Sequence, residues 1–244
     1  MAMRVLGIIT ARGGSKGIPR KNVALLLGKP LLAYTAEAAL ASTKLTRTVL
    51  STDDVEIANI GRQWGIDIPF PRPAELAKDD TPTIPVLQDV VRRLEAMGES
   101  YDAVLTLQPT NPLRLPQDID GAIDLLDRTG ADSVISFSDV GERHPARMKW
   151  IDAEGRVNDP PFAEEFEGKP RQQLSKLYLR DGSIYLTRRT VLMEQNSLKG
   201  ADCRAWIIPE ERSRNIDSPL DMLIVEQILL SQTKSAACVP ASRD

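Results

Sequence analysis

Short apolar runs alternate with helix-period segments through the first half of the chain, the pattern of β-α-β units wound about a parallel sheet. Residues 4–10, RVLGIIT, read as a first strand, 47–51 as a second, and 103–107 and 133–137 as two more. Between them, helices are expected over 30–41 and 54–64, from Pro82 and Pro85 to Met97, and from Pro116 through Asp127. Proline's fixed φ and missing N–H suit a first helical turn, which is why Pro30, Pro82, Pro85 and Pro116 read as openers. The fold class is therefore α/β: a doubly wound, mostly parallel, Rossmann-like sheet.

From 139 to 180 the periodicity fades into a stretch rich in proline, charge and aromatic residues, HPARMKWIDAEGRVNDPPFAEEFEGKPRQQ. It is too long for an ordinary connection and reads as an insertion with a task of its own. Strands resume at 183–186 and 205–208, and Asp217-Ser218 introduces a closing helix over 219–230. One domain over 1–231 is expected, with 139–180 inside it and a flexible tail over 232–244.

The 244 residues suffice for a sizeable core. No apolar run approaches the roughly 20 residues of a membrane span, and the start, MAMRVLGIITARGG, is not a signal peptide. A cytoplasmic protein without a membrane partner is expected. Cys203 and Cys238 lie far apart with no metal-ligand spacing, so neither a disulfide framework nor a zinc site is indicated. A net charge of −3 argues against nucleic acid as a partner. Any anion has to be met locally.

The local candidate is Ala11-Arg12-Gly13-Gly14-Ser15-Lys16-Gly17-Ile18-Pro19-Arg20-Lys21-Asn22, placed where the first strand ends. Ligands of open parallel sheets bind beyond the carboxyl ends of strands. Three glycines let backbone N–H groups approach an anion, and Arg12, Lys16, Arg20 and Lys21 flank them. That is the chemistry of a triphosphate cradle. It is neither a Walker A loop nor a G-x-G-x-x-G dinucleotide loop.

This loop resembles the signature of the acylneuraminate cytidylyltransferases, the enzymes that make CMP-sialic acid and its bacterial relatives. The likeness continues in family order through Gly28-Lys29-Pro30-Leu31, Ser51-Thr52-Asp53-Asp54, Arg72-Pro73-Ala74-Glu75-Leu76-Ala77 and Leu107-Gln108-Pro109-Thr110-Asn111-Pro112-Leu113-Arg114. His144-Pro145, Arg171-Gln172-Gln173-Leu174, Asp181-Gly182-Ser183-Ile184-Tyr185 and Ile216-Asp217-Ser218-Pro219 complete it.

The resemblance implies transfer of CMP from CTP to the anomeric hydroxyl of a 2-keto-3-deoxy, nine-carbon sugar acid, with pyrophosphate released. It implies Arg12 and Lys21 at the phosphates as catalytic cations, with Asn22 beside them. Gly13, Gly14, Ser15 and Lys16 would line the phosphate chain, and Arg72, Thr81 and Thr83 the cytidine. Gln108, Arg171, Gln172 and Tyr185 match positions of the sugar-acid pocket, although Gln108 could instead tie two loops and Tyr185 serve the core. Mg²⁺ held by Asp217, with Asn215 as a second candidate ligand, is the implied cofactor. The insertion resembles an arm by which family members pair, so a homodimer is implied. His144, at the head of the insertion, suits a loop or subunit contact as well as catalysis.

Two positions depart from the usual pattern of an Asn-Gly-Ala-Ile-Tyr strand and an acid-Ile-Asp segment. Here Asp181 and Ser183 stand in the first and Asn215 in the second. A carboxylate gained at 181 bears on the sugar pocket and one lost at 215 on the metal: either Asp181 restores the lost charge, or the two changes are independent, with Asn215 able to coordinate Mg²⁺ through its carbonyl oxygen and Asp217 sufficient alone. Legionaminic, pseudaminic or 3-deoxy-octulosonic acid are alternative acceptors, and a catalytically idle nucleotide-binding protein is the alternative of another class.

Overall fold

The computed structural model describes residues 3–237 apart from Lys16; Lys16 and Cys238, both singled out above, lie outside the described residues. Strand β1 (Val5–Thr10) runs into the glycine-rich loop. A small hairpin, β2 (Leu25–Leu26) and β3 (Lys29–Pro30), precedes α1 (Leu31–Leu40), β4 (Arg47–Ser51), α2 (Val55–Gln63) and α3 (Thr83–Ala96). Strand β5 (Ala103–Leu107), α4 (Pro116–Thr129) and β6 (Ser133–Asp139) follow. The insertion holds only the two-residue strands β7 (Trp150–Ile151) and β8 (Val157–Asn158), besides single 3₁₀ turns. Then come β9 (Tyr178–Arg188), α5 (Arg189–Glu194), β10 (Cys203–Ile207) and α6 (Pro219–Ala237).

The six-stranded sheet has the order β10-β6-β9-β5-β1-β4. All neighbours are parallel except β9, which is antiparallel to both β5 and β6. Strand alternation then sends successive side chains to opposite layers. Val5 and Ile9 of β1 and Leu105 of β5 join α1, α2 and α4, whereas Leu6, Ile8 and Val104 join Leu87, Val90 and Leu94 of α3 and Leu192 of α5. A smaller cluster of Leu26, Leu31, Leu113, Ile216 and Val225 packs α6 against the β2–β3 hairpin.

Differences from the expected elements have local causes. Strand β9 begins at Tyr178, well before 183, and its register against β6 shifts between Ile135 and Phe137. Gly182, at φ +85°, takes up that irregularity, a backbone conformation that side chains with a Cβ rarely adopt. Helix α5 follows β9 without an opening proline or polar cap, and α6 runs past the expected end at 230 to Ala237. Trp64 and Asp54 fall at the two caps of α2 rather than inside it, Asp54 accepting the Ile57 N–H at 3.0 Å.

Asp118 ties three elements together. In the first turn of α4 its carboxylate accepts the Leu115 N–H at 2.9 Å and the Trp206 indole N–H of β10 at 3.3 Å. It also receives both guanidinium N–H groups of Arg212, one of them at 3.1 Å, and the aspartate side chain is 5% exposed. Removing one member of such a pair leaves a desolvated charge, in contrast to exposed pairs such as Arg204–Asp202. Asp118→Ala should therefore cost about 3 kcal/mol in urea unfolding, and Asp202→Ala less than about 1 kcal/mol. Equal losses would show that the pair does not anchor the loop before α6.

Candidate active site

Beyond the carboxyl ends of β1 and β5 lies a cavity of about 560 Å³. The glycine-rich loop forms one wall: Arg12, Gly14, Ser15, Gly17, Lys21 and Asn22 all line it. The Asn22 amide donates to the Arg12 carbonyl at 2.9 Å and stiffens the loop from within. Gly13 does not face the cavity; its N–H donates to Asp53 Oδ1 at 3.1 Å, and a Cβ there would come within 2.8 Å of the Asp54 carboxylate. The loop is thereby fastened to the residues that follow β4.

The opposite wall carries Arg72, Thr81 and Thr83, with Gln108 and Thr110 from the segment after β5. Arg72 is 9% exposed and donates to the Ser51 hydroxyl at 3.0 Å and the Ser51 carbonyl at 2.7 Å. Its burial pulls the guanidinium down to about 10, opposed by the nearby Asp53 carboxylate. The group stays cationic at neutral pH.

Gln108 owes its place to Arg114. That guanidinium is buried and donates to the carbonyls of Gln108 (2.8 Å) and Ser183 (2.7 Å) and to the Thr35 hydroxyl (3.3 Å). Burial lowers it as well, to about 10, against the attraction of Asp181 and Asp118. Asn111 adds a bond from its amide to the Asp181 carbonyl at 3.0 Å. The proline-bracketed segment 107–114 is thus held by its own polar side chains.

Asn215 and Asp217 close the cavity from the loop before α6. Lys21 Nζ donates to the Ile216 carbonyl at 2.8 Å and pairs with Asp217 at 2.9 Å, while the Asn215 amide donates to the other Asp217 oxygen. The Ile216 N–H donates to Thr110 at 2.8 Å. Ser218 and Asp221 cap α6 reciprocally, since Asp221 accepts the Ser218 N–H at 2.8 Å and returns its own N–H to the Ser218 hydroxyl at 3.3 Å. The Ser218 hydroxyl, the largest influence, and the N–H groups of Asp217 and Ser218 hold the Asp221 carboxyl below its ordinary range.

Arg12, in turn, donates to the Lys78 carbonyl at 2.7 Å and pairs with Asp79 at 3.0 Å. Two cations therefore face one cavity, each held by a carboxylate and a carbonyl. Lys78 and Asp79 carried no signal in the sequence beyond a solvated charge run.

Other expected residues lie elsewhere. Arg171 and Gln172 sit in a 3₁₀ turn of the insertion and line a separate hollow beside His144, which Arg171 shares with a second cavity next to the first. Asp181 lines that second cavity, but its carboxylate accepts the Ser136 hydroxyl and the Ser183 N–H (3.1 Å) and hydroxyl (2.7 Å). Both its oxygens brace the β6–β9 irregularity, so Asp181 is not a stand-in for a carboxylate at 215. Tyr185 pairs opposite Thr106 and Ile135 within the sheet and lines none of these cavities; burial raises its hydroxyl above the usual tyrosine range. His144 accepts the Ala146 N–H at Nδ1 (3.1 Å), which leaves Nε2–H to donate to the Ser175 carbonyl (2.9 Å). It fastens the ends of the insertion together.

An open sheet of this order, with a glycine-rich cationic loop at its carboxyl edge, defines a nucleotidyltransferase. Residues 6–199 match the family described as Cytidylyltransferase, and the chain belongs to that family, as its motifs anticipate. It is 34% identical to the CMP-N,N'-diacetyllegionaminic acid synthase of Legionella pneumophila, over 93% of this chain and 97% of that one. It is 30% identical to the pseudaminic acid cytidylyltransferase of Campylobacter jejuni (90% and 94% covered). With N-acylneuraminate cytidylyltransferase A of Danio rerio it shares 31% over 93% of this chain, spanning 51% of that protein's length. In fold it is similar to a CMP:2-keto-3-deoxy-manno-octonic acid synthetase solved with CTP, at a TM-score of 0.70, 17% identity, and 94% and 99% coverage. Among the described residues no helix is long and apolar enough to cross a membrane.

Gly17 offers the sharpest test of how the two loops meet. A Cβ on it would fall 2.2 Å from the backbone carbonyl of Asp217, so an alanine there must push the two segments apart. Because small displacements at a reacting centre cost up to about 10²-fold in rate, Gly17→Ala should lower kcat/KM by more than about tenfold while far-ultraviolet dichroism stays native. Wild-type turnover in that variant would mean that the contact does not set the geometry of the site.

Proposed function

We propose that this protein transfers CMP from CTP to the anomeric hydroxyl of a nine-carbon 2-keto-3-deoxy sugar acid of the sialic, legionaminic or pseudaminic type. The observation that carries this reading is the meeting of Arg12, Lys21 and Asp217 at one cavity, with Arg72 and Thr81 on its far wall. The curated relatives, named for CMP-loading of such acids, support the acceptor class.

Phosphoryl-type transfer spreads negative charge over oxygens in its transition state, so positioned cations and N–H donors supply most of the barrier reduction. Arg12 and the loop amides near Gly14 and Ser15 would hold the phosphate chain. Lys21 would exchange Asp217 for a phosphate oxygen as charge builds on the departing pyrophosphate. Gln108, whose carbonyl Arg114 holds, lines the same cavity and would meet the acceptor there. His144 is committed to Ala146 and Ser175 and lines neither this cavity nor the second one beside it, so the attacking hydroxyl would give its proton to water or to the departing pyrophosphate.

A magnesium ion fits this donor set. Asp217 is 68% exposed at the cavity edge with the Asn215 carboxamide beside it, an oxygen-only set with one carboxylate. No group of three or more His, Cys, Asp or Glu side chains exists among the described residues to cage a metal. Magnesium ordinarily takes one or two carboxylates and completes its shell with water and phosphate. It would supply charge neutralisation at the phosphates.

Purified protein with CTP, Mg²⁺ and a panel of N-acetylneuraminic, N,N'-diacetyllegionaminic, pseudaminic and 3-deoxy-octulosonic acids should release pyrophosphate with at least one nine-carbon acid. Arg12→Ala and Lys21→Ala should each lower kcat/KM by about 10² or more, with thermal midpoints near wild type. Release with none of the acids would overturn the reading, and variants within a few-fold of wild type would remove these residues from the phosphates.

We also propose that the insertion pairs two copies of the chain. Met148, Trp150, Ile151, Phe162 and Phe166 are 49–72% exposed on it, whereas Pro160 is buried. Large apolar side chains clustered on one projection mark an association surface. Light scattering should give twice the chain mass, with Trp150→Glu together with Phe162→Glu shifting it to the monomer; a wild-type monomer at micromolar concentration would refute the pairing.

A further inference from the structure

The second cavity, of about 550 Å³, shares Asn215 with the nucleotide cavity and is lined by Arg143, Arg171, Arg180 and Arg214. None of these four guanidinium groups has a hydrogen bond or an ion pair within the described residues; Arg180 alone has a partner of any kind, the Tyr185 ring at 5.7 Å. Elsewhere in the described chain, arginine side chains are paired, from Arg4 with Ser100 to Arg212 with Asp118, the exposed Arg128 on α4 excepted. Unpaired arginines are therefore gathered around one hollow rather than scattered over the surface.

Arg214 differs from the other three. Arg143, Arg171 and Arg180 are exposed, but Arg214 is half-buried and its Nε is buried without a partner. A buried donor left unpaired is destabilising unless a ligand satisfies it. The residue is also held in place on both sides. The Ser213 hydroxyl donates to Ser138 at 2.8 Å, and Ile216 is bonded to Thr110. Of the carboxylates lining the cavity, Asp139 accepts the Gly141 N–H, Asp181 the two serines and Asp221 the α6 cap, while Glu142 and Glu210 are exposed and make no ion pair with Arg214. Its chain neighbour is Asn215, which is neutral. Arg214 is thus a half-buried, pre-positioned cation beside the one residue common to both cavities.

Resting on the transfer reading above, we infer that Arg214 receives the carboxylate of the acceptor sugar acid and makes this second cavity selective for an acid over a neutral sugar, with Arg180 as the flanking cation. The guanidinium fork matches a carboxylate in two parallel bonds. The cavity's position fits the reaction, because the hydroxyl that attacks the α-phosphorus sits on the carbon bearing the carboxylate. That carboxylate must lie at the junction of the two chambers, where Asn215 and Arg214 stand. The exposed Glu142 and Glu210 on the same walls suit the hydroxyl-rich remainder of a sugar as hydrogen-bond acceptors. Arg171, expected from sequence in the sugar-acid pocket, is exposed and stands on the insertion.

The test compares the fastest acid of the panel with its methyl ester, in wild type, Arg214→Gln, Arg214→Lys and the surface control Arg128→Gln. Wild type and the control should favour the acid over the ester at least tenfold in KM. Arg214→Gln should raise the KM for the acid about tenfold or more, leave that for CTP within twofold, and abolish the preference over the ester. Arg214→Lys, which keeps the stem and charge and guards against a folding defect, should weaken acid binding without weakening ester binding. An unchanged KM for the acid, or equal rises for acid and ester, would overturn the assignment. Were wild type to turn over none of the panel, the transfer reading would fall by itself. Calorimetric binding of N-acetylneuraminic acid to wild type and Arg214→Gln would still decide the role of Arg214: loss in the variant alone upholds it, and equal or absent binding rejects it.

Discussion

The geometry of the site depends on one contact between distant parts of the chain, the ammonium of Lys21 placed between the Ile216 carbonyl and Asp217. The lysine side chain is 14% exposed but its Asp217 partner is 68% exposed, so solvent screens the ion pair and the bond to the Ile216 carbonyl does as much to fix the ammonium. It joins the loop after β1 to the loop before α6, and Gly17 lets the two backbones touch at the same place. Neither loop belongs to the sheet. What keeps their relative position is this pair, the Ile216–Thr110 bond and the anchoring of Arg212 on Asp118.

Behind that contact stands a second layer of buried arginines. Arg72 and Arg114 bind carbonyl and hydroxyl oxygens instead of carboxylates, and burial lowers both guanidinium groups without neutralising them. A buried cation bonded to neutral acceptors keeps more of its field than one in contact with a carboxylate, and Asp53, Asp118 and Asp181 offset these two only partly. Arg72 therefore contributes positive potential to the nucleotide cavity it lines, while Arg114 spends its donors on fixing the strand ends that carry Gln108 and Ser183. The architecture thus separates cations that face ligand from cations that shape the wall.

Much of this was legible in the sequence, for identifiable reasons. Strand β5 falls where its apolar run begins and ends, because both faces of this central strand are buried. The start of β9 was not legible, since Tyr178, Leu179 and Arg180 are exposed and carry no alternating signal. Helix α5, at six residues, is too short to show a helical period. At the site, the cavity wall formed by residues 12–22 could be read because its cations and glycines share one window of sequence. The arginines of the second cavity could not: Arg143, Arg180 and Arg214 come from three separate segments, and only the β6–β9 pairing and the loop before α6 bring them together.

The two cavities differ in how they hold charge, and this bears on selectivity. In the nucleotide cavity Arg12 and Lys21 already have carboxylate partners, Asp79 and Asp217. A triphosphate has to displace these, so its net gain is the difference between two sets of ion pairs, and only a ligand bearing several charges profits from the exchange. A mono-anion gains little there. In the second cavity the guanidinium of Arg214 has no carboxylate to surrender, so a single acceptor carboxylate gains the whole interaction less its own desolvation. On the proposed reading, the first cavity would favour ligands bearing several charges and the neighbouring one would retain a singly charged acid.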